Sequence, residues 1–196
     1  MSDGRLLAPA KAALRRTLTA ARAAFVAGLD AAERGQLETQ LAAQLVMHLM
    51  PGQRVAAYAA FGSEIDPAQL ALARPALLPR IAGRGLPLTF HDSGASALVA
   101  NRFGMAEPPA GLPAVDPDVI LVPLLGVDRR GHRIGYGGGY YDRTLAALRQ
   151  RRRIFAIGCA WNCQLIDSVP ADDWDELLDA VATPTRFVVM AVGQTG

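Results

Sequence analysis

Residues 11–29 are rich in Ala, Leu and Arg and contain no Pro, a pattern that predicts a helix with a basic face. Asp30 and Glu33 have the spacing of a capping box, and Leu37, Leu41, Leu45 and Leu49 recur at every fourth position behind them. Pro51-Gly52 ends that second helix. The chain is therefore predicted to open with a helical hairpin over 11–49. Beyond residue 54 the pattern changes to short apolar runs. Residues 55–61, 118–123 and 153–158 read as buried strands, and 76–80, 86–91 and 186–192 as further strands. Pro67 follows a turn and suits the start of a short helix ending near Arg74. Residues 93–117 are broken by Gly and Pro and read as loop. Residues 137–149 return to helical spacing through Tyr141, Leu145 and Leu148, and 176–181 read as a short helix or strand. Strand, helix and strand alternate. This predicts a three-layer α/β fold, with a mostly parallel sheet, helices on both faces and the hairpin packed on it.

The chain has 196 residues, 51% of them hydrophobic and 19% charged, an ordinary globular balance. We read it as one domain over 1–196, with an α/β core over 54–192. The formal net charge of +2 is too small to mark a nucleic-acid binder. The longest stretch without Asp, Glu, Lys or Arg is 39–53, shorter than the roughly 20 apolar residues of a spanning helix. No membrane association is expected, and a cytoplasmic location is. Cys159 and Cys163 form neither a disulfide framework nor a zinc motif, and both read as buried free thiols. His48, His91 and His132 share no metal-like spacing. Nineteen of the 20 basic residues are Arg, so the single lysine, Lys11, stands out.

The segment richest in candidate chemistry runs from Val122 to Arg143 and ends in Arg133-Ile134-Gly135-Tyr136-Gly137-Gly138-Gly139-Tyr140-Tyr141-Asp142-Arg143. It leaves a buried strand and enters a helix, at the sheet edge where α/β proteins bind ligands. Its glycines let backbone N–H groups approach an anion, Arg133 adds a fork of donors, and Asp142 lies one turn into the helix, where a carboxylate can hold Mg²⁺ near a phosphate. It lacks the Lys of a Walker A loop, and counting G-x-G-x-x-G from Gly135 places Tyr140 last, so neither common nucleotide fingerprint applies. Read alone, it is equally a glycine turn that permits a tight strand-to-helix connection.

This string, following Val122-Pro-Leu-Leu-Gly-Val-Asp128-x-x-Gly131, resembles the signature of the 5-formyltetrahydrofolate cyclo-ligase family, also called methenyltetrahydrofolate synthetases. Four further segments are similar in order: Lys11-x-x-x-Arg15, Glu64 within Gly-Ser-Glu-Ile-Asp, Phe103-Gly-Met-Ala-Glu107-Pro108, and Trp174-Asp175 followed by Asp179 and Thr183-Pro184. The resemblance implies an ATP-dependent ring closure of a formylated folate with Mg²⁺. It implies nucleotide contacts from Lys11, Arg15 and residues 133–141, namely Arg133, Ile134, Gly135, Tyr136, Gly137, Gly138, Gly139, Tyr140 and Tyr141. It implies folate contacts from Glu64, with Tyr136, Gly138 and Tyr140. Tyr140, Phe103 and Tyr58 offer stacking surface, and Glu64 and Arg133 are the catalytic candidates. Asp142 and Asp175 are the metal candidates, with Asp172, Asp173 and Asp179 as neighbouring acids. Other members carry basic residues at the positions of Tyr136 or Gly138, which leaves Arg133, Lys11 and Arg15 as the phosphate contacts here. Only small-molecule partners, and a monomer or weak homo-oligomer, are expected. Two other readings are a relative of sugar-phosphate isomerases or CoA-transferases, which needs neither Lys11 nor the Asp142 and Asp175 pair, and a folate- or nucleotide-binding regulator without turnover. Arg149 and Arg151–Arg153 read as the cationic end of a helix.

Overall fold

The computed structural model describes residues 4–190 except 74, 75 and 95. Helix α1 spans Gly4–Ala27 and α2 spans Ala31–His48. The capping box forms: the Asp30 carboxylate accepts the Ala32 and Glu33 N–H groups, and Glu33 accepts the Asp30 N–H. Strand β1 (Val55–Ala56) is followed by a 3-10 turn over Pro67–Leu72, capped by Asp66. Next come the antiparallel pair β2 (Leu78–Ile81) and β3 (Leu88–His91), and the short pair β4 (Val99–Ala100) and β5 (Ala106–Glu107). Strand β6 (Val119–Pro123) leads to the hairpin β7 (Gly126–Val127) and β8 (Arg133–Ile134), then to α3 (Tyr140–Arg149). Strands β9 (Phe155–Cys159), β10 (Ala180–Thr183) and β11 (Arg186–Val189) follow.

The main sheet has the order β1-β6-β9-β10-β11. Its first four strands are parallel, with Val119 opposite both Val55 and Phe155, and β11 returns antiparallel to β10. Alternation along β6 builds the layers. Val119 and Leu121 face the cluster that holds Leu41, Leu45 and Leu49 of α2. Ile120 and Val122 face Leu145 and Leu148 of α3, with Leu88 and Phe90 of β3. Each fully buried Leu contributes about 1.5–3 kcal/mol to the driving force. Helices thus cover both faces of a mostly parallel sheet, as the pattern predicts.

Several local expectations change. The two N-terminal helices pack on the core as predicted, but they reach different parts of it. α2 covers a face, whereas α1 crosses the loops beyond the carboxyl ends of the strands. Its Leu18 packs with Leu125, Ile134 and Val169, and its Phe25 sits 5.6 Å from Trp161, ring centre to ring centre. Strand β1 is two residues, not seven, because after Ala57 the chain bends so that Tyr58 can donate to the Ile65 carbonyl. The expected 93–117 loop contains β4 and β5, and hairpin β7–β8 was not anticipated. The expected helix over 137–149 starts three residues later, at Tyr140. The predicted end of the short helix at Arg74, and the last strand's residues 191 and 192, lie outside the described residues. Cys159 is buried as expected, and burial pushes its thiol up to about 12. Cys163 is exposed instead, on the outer side of a 3-10 turn over Asn162–Gln164. No helix among the described residues is long and apolar enough to cross a membrane.

Candidate active site

The loop between β6 and α3 is anchored before it reaches its glycines. The buried Asp128 carboxylate accepts N–H groups from Arg130 (2.9 Å), His132 (3.2 Å) and Val169 (3.1 Å). Gly137 (φ 93°) and Gly139 (φ 63°) are in the left-handed region. Between them, a Cβ on Gly138 would stand 2.9 Å from the Tyr140 ring. Side chains are therefore strained at Gly137 and Gly139 by backbone conformation, whereas one at Gly138 requires the Tyr140 ring to shift. Gly139 opens α3 with no side-chain cap. The free amides and the positive end of the helix dipole face the loop.

Helix α1 brings its cations to this loop. Arg15 Nε donates to the Gly135 carbonyl at 2.9 Å, and the Arg15 guanidinium passes close by Gly137. Lys11 is buried and pairs with Asp172 at 2.6 Å and with Asp175. Burial works against its charge, but the two carboxylates outweigh this and hold the ammonium charged to higher pH than usual. Arg133 Nη2 pairs with Asp142 at 2.6 Å, and Nη1 donates to the Glu176 carbonyl. The Glu176 N–H reaches back to Asp142 at 3.3 Å, so Asp142 and the Asp175 segment converge. Cations and acids alternate here: Lys11 with Asp172 and Asp175, then Asp142 with Arg133. Two carboxylates with the remaining positions open to phosphate oxygens and water are the donor set that Mg²⁺ accepts, so these residues fit that ion. Among the described residues no group of three or more His, Cys, Asp or Glu is arranged to hold a metal.

Glu64 lies on the same edge, 5% exposed, with its carboxylate accepting the Phe61 N–H at 2.9 Å. Burial pushes its carboxyl up. The Phe61 N–H, the Arg22 charge and the Tyr136 hydroxyl oppose that shift. Phe103 is half exposed, with Arg102 over its ring at 4.7 Å and donating to the Tyr140 hydroxyl at 3.1 Å, which ties this loop to the glycine loop.

Two candidates are placed differently from expectation. Tyr58 is buried in the core with its hydroxyl donated to Ile65, so it presents no open stacking face. The Ile134 side chain is 2% exposed beneath Leu18, which leaves only its backbone to border the loop. Tyr141, in the first turn of α3, packs against the core, and desolvation keeps its hydroxyl neutral. Of the neighbouring acids, Asp179 accepts the Ala156 N–H at 2.7 Å and pairs with Arg149 at 2.8 Å, so it clamps β9 to α3. Asp173 is exposed, which leaves Asp172 and Asp175 flanking Lys11. Arg149 is held by Glu176 and Asp179, as a cationic helix end.

The residue missed from sequence is Arg22. It is 2% exposed and bonds Ser63, Leu124 and Tyr136. A signal existed: Lys11, Arg15, Leu18, Arg22 and Phe25 share one stripe of a 3.6-residue period, so basic residues occupy the inward face of α1.

The fold and site define an α/β protein with a cationic, carboxylate-lined glycine loop at the carboxyl edge of its sheet. A model of the 5-formyltetrahydrofolate cyclo-ligase family matches residues 8–184, and the chain belongs to that family. The 5-formyltetrahydrofolate cyclo-ligase of Escherichia coli (strain K12) is 40% identical over 116 residues, 57% of this chain and 62% of the relative, so the match spans less than two thirds of that protein. The cyclo-ligase of Mycolicibacterium smegmatis is 39% identical over 151 residues, 70% of this chain and 77% of the relative. The 5,10-methenyltetrahydrofolate synthetase of Aquifex aeolicus has a TM-score of 0.74 at 25% identity, covering 95% of both chains. That of Mycoplasma pneumoniae has a TM-score of 0.66 at 25% identity, covering 89% of this chain and 98% of the other.

Proposed function

We propose that the protein closes 5-formyltetrahydrofolate to 5,10-methenyltetrahydrofolate at the expense of ATP. The observation that carries this reading is the convergence of Lys11, Arg15, Arg133, Asp142 and Asp175 on a glycine loop that also borders Glu64. The formyl oxygen on N5 attacks the γ-phosphorus, the bond to the bridging oxygen breaks and ADP leaves, giving an N5 iminium phosphate. N10 then bonds to the formyl carbon and loses its proton, and the carbon–oxygen bond breaks to release phosphate. Phosphoryl transfer needs positioning and charge neutralisation more than covalent help from the protein. In the free protein the cations and acids of the site neutralise one another. The triphosphate takes over Lys11, Arg15 and Arg133, and Asp142 and Asp175 are released to hold Mg²⁺. The ion supplies charge neutralisation at the phosphates. Glu64 accepts a hydrogen bond from the folate and orients N10. Tyr140 and Phe103, at the loop mouth, supply stacking surface. In this reading the protein works on small molecules in the cytoplasm. The reading requires that ADP and phosphate form in equal amounts and only when the formylated folate is present. ADP release at the same rate without folate would contradict it.

Lys11 offers a separate test. Its held charge makes amine labelling a weak probe, so substitution is sharper. In Lys11→Arg a planar fork replaces a compact ammonium between Asp172 and Asp175. The apparent KM for ATP is expected to rise about tenfold, the worth of one misplaced charge-assisted hydrogen bond, with the folate KM little changed. Wild-type steady-state constants for both substrates would show Lys11 to be a structural ion-pair partner only.

A further inference from the structure

Arg22 stands three turns along α1 from Lys11, on the same side of the helix. Its side chain is spent on neutral partners. Nε donates to Ser63 Oγ at 3.1 Å, Nη1 to the Leu124 carbonyl at 3.0 Å and Nη2 to the Tyr136 hydroxyl, and the guanidinium carbon sits 5.5 Å from the Tyr136 ring centre. A buried cation of this kind calls for a counter-charge. The acid that faces it is Glu64, next in sequence to Ser63. Tyr136, 56% exposed at the site mouth, accepts from Arg22 through its hydroxyl, so Arg22 ties this residue to the Ser63–Glu64 turn.

We propose that Arg22 is a positioning residue which, bonded to Ser63 beside Glu64 and to Tyr136, holds Glu64 as an oriented carboxylate for the folate contact. The proposal rests on the function given above. The other groups around Glu64 do not supply this charge. Asp66 on its own loop repels it, the buried hydroxyls of Tyr58 and Tyr141 are neutral, and Arg34 from α2 donates to the Glu64 backbone carbonyl at 3.1 Å and is paired with Glu38. Arg22 and Tyr136 therefore oppose the effect of burial on Glu64.

The test uses Tyr136→Phe, which deletes one oxygen from a half-exposed ring, and Arg22→Lys, which keeps the charge and loses the fork. The Glu64 carboxyl is titrated by carbon NMR in the ligand-free protein, with Glu64→Gln to assign the signal. Both variants are expected to move its midpoint to higher pH. In turnover, the acidic limb of kcat/KM for 5-formyltetrahydrofolate should move the same way, with a loss of about 10- to 100-fold on that limb and, in Arg22→Lys, an unchanged nucleotide KM. In a Glu64→Gln background, Tyr136→Phe should cost nothing further. A Glu64 midpoint unmoved in both variants would overturn the proposal, as would a loss that simply adds to that of Glu64→Gln. Arg22→Lys protein that melts earlier but keeps the native pH dependence would assign Arg22 to packing alone. A wild-type protein without turnover, whose Glu64 midpoint still moves in both variants, would reject the assigned reaction and support the link from Arg22 to Glu64.

Discussion

Asp175→Asn is expected to cut Mg²⁺-dependent turnover by about 100-fold or more, because a metal-bound phosphate loses one of its two anchoring carboxylates. Its melting temperature should stay close to that of the wild type. Lys11 keeps Asp172 as a partner at 2.6 Å, and the Asn carbonyl can still accept the Asp172 N–H that Asp175 accepts at 2.8 Å. Asp142→Asn should lose at least as much turnover but melt earlier. The Arg133 side chain is only 6% exposed and would lose its paired charge, a cost of about 1–3 kcal/mol. Rate against Mg²⁺ concentration, measured beside thermal melts, separates the two effects. An unchanged Mg²⁺ dependence in Asp175→Asn would move the metal to Asp172, since Asp179 is committed to Ala156 and Arg149.

Glu64→Gln is expected to preserve nucleotide binding and to lose ring closure by about 2–5 kcal/mol, the usual cost of removing one desolvated charged contact. The amide puts a donor where the folate needs an acceptor. The same variant should be no less stable than the wild type at neutral pH. Burial raises the Glu64 carboxyl above its unfolded value, so between those two values the folded state binds the extra proton. Stability from this group is therefore full below the unfolded value and falls as pH rises through the folded one. Gln removes that loss and can still accept the Phe61 N–H. A gain in melting temperature that disappears at acidic pH, with turnover lost, is the expected pair of results. A collapse of nucleotide affinity with folate binding intact would place Glu64 in the other subsite.

Much of this arrangement was legible in the sequence. The every-fourth Leu pattern of α2, the Asp30 cap and the apolar run of β6 reflect local rules, and they fold as read. The glycine string read as a tight strand-to-helix turn, and the chain there is left-handed at Gly137 and Gly139. What periodicity hides is which partner a side chain meets. Tyr58 looked like stacking surface and is core, because the chain beyond Ala57 folds back over it. Lys11 and Arg133 looked like free phosphate ligands, but in the free protein Lys11 is already paired with acids far along the chain and Arg133 with Asp142 of its own segment. Arg22 escaped notice because a basic residue in an Arg-rich helix looks like solvated surface until the inward stripe of α1 is drawn. The strand lengths failed for a similar reason: Val55–Ala56 pairs with β6 only until the chain must turn towards Glu64.

The central claim is most directly tested by mixing the protein with 5-formyltetrahydrofolate and Mg²⁺ and then adding ATP, while following near-ultraviolet absorbance. Methenyltetrahydrofolate absorbs there and the formylated folate does not. A rise that begins with ATP, scales with enzyme and stops when either substrate is exhausted is the predicted result. Tight binding of both substrates with no rise would contradict it and leave a folate- and nucleotide-binding protein without turnover.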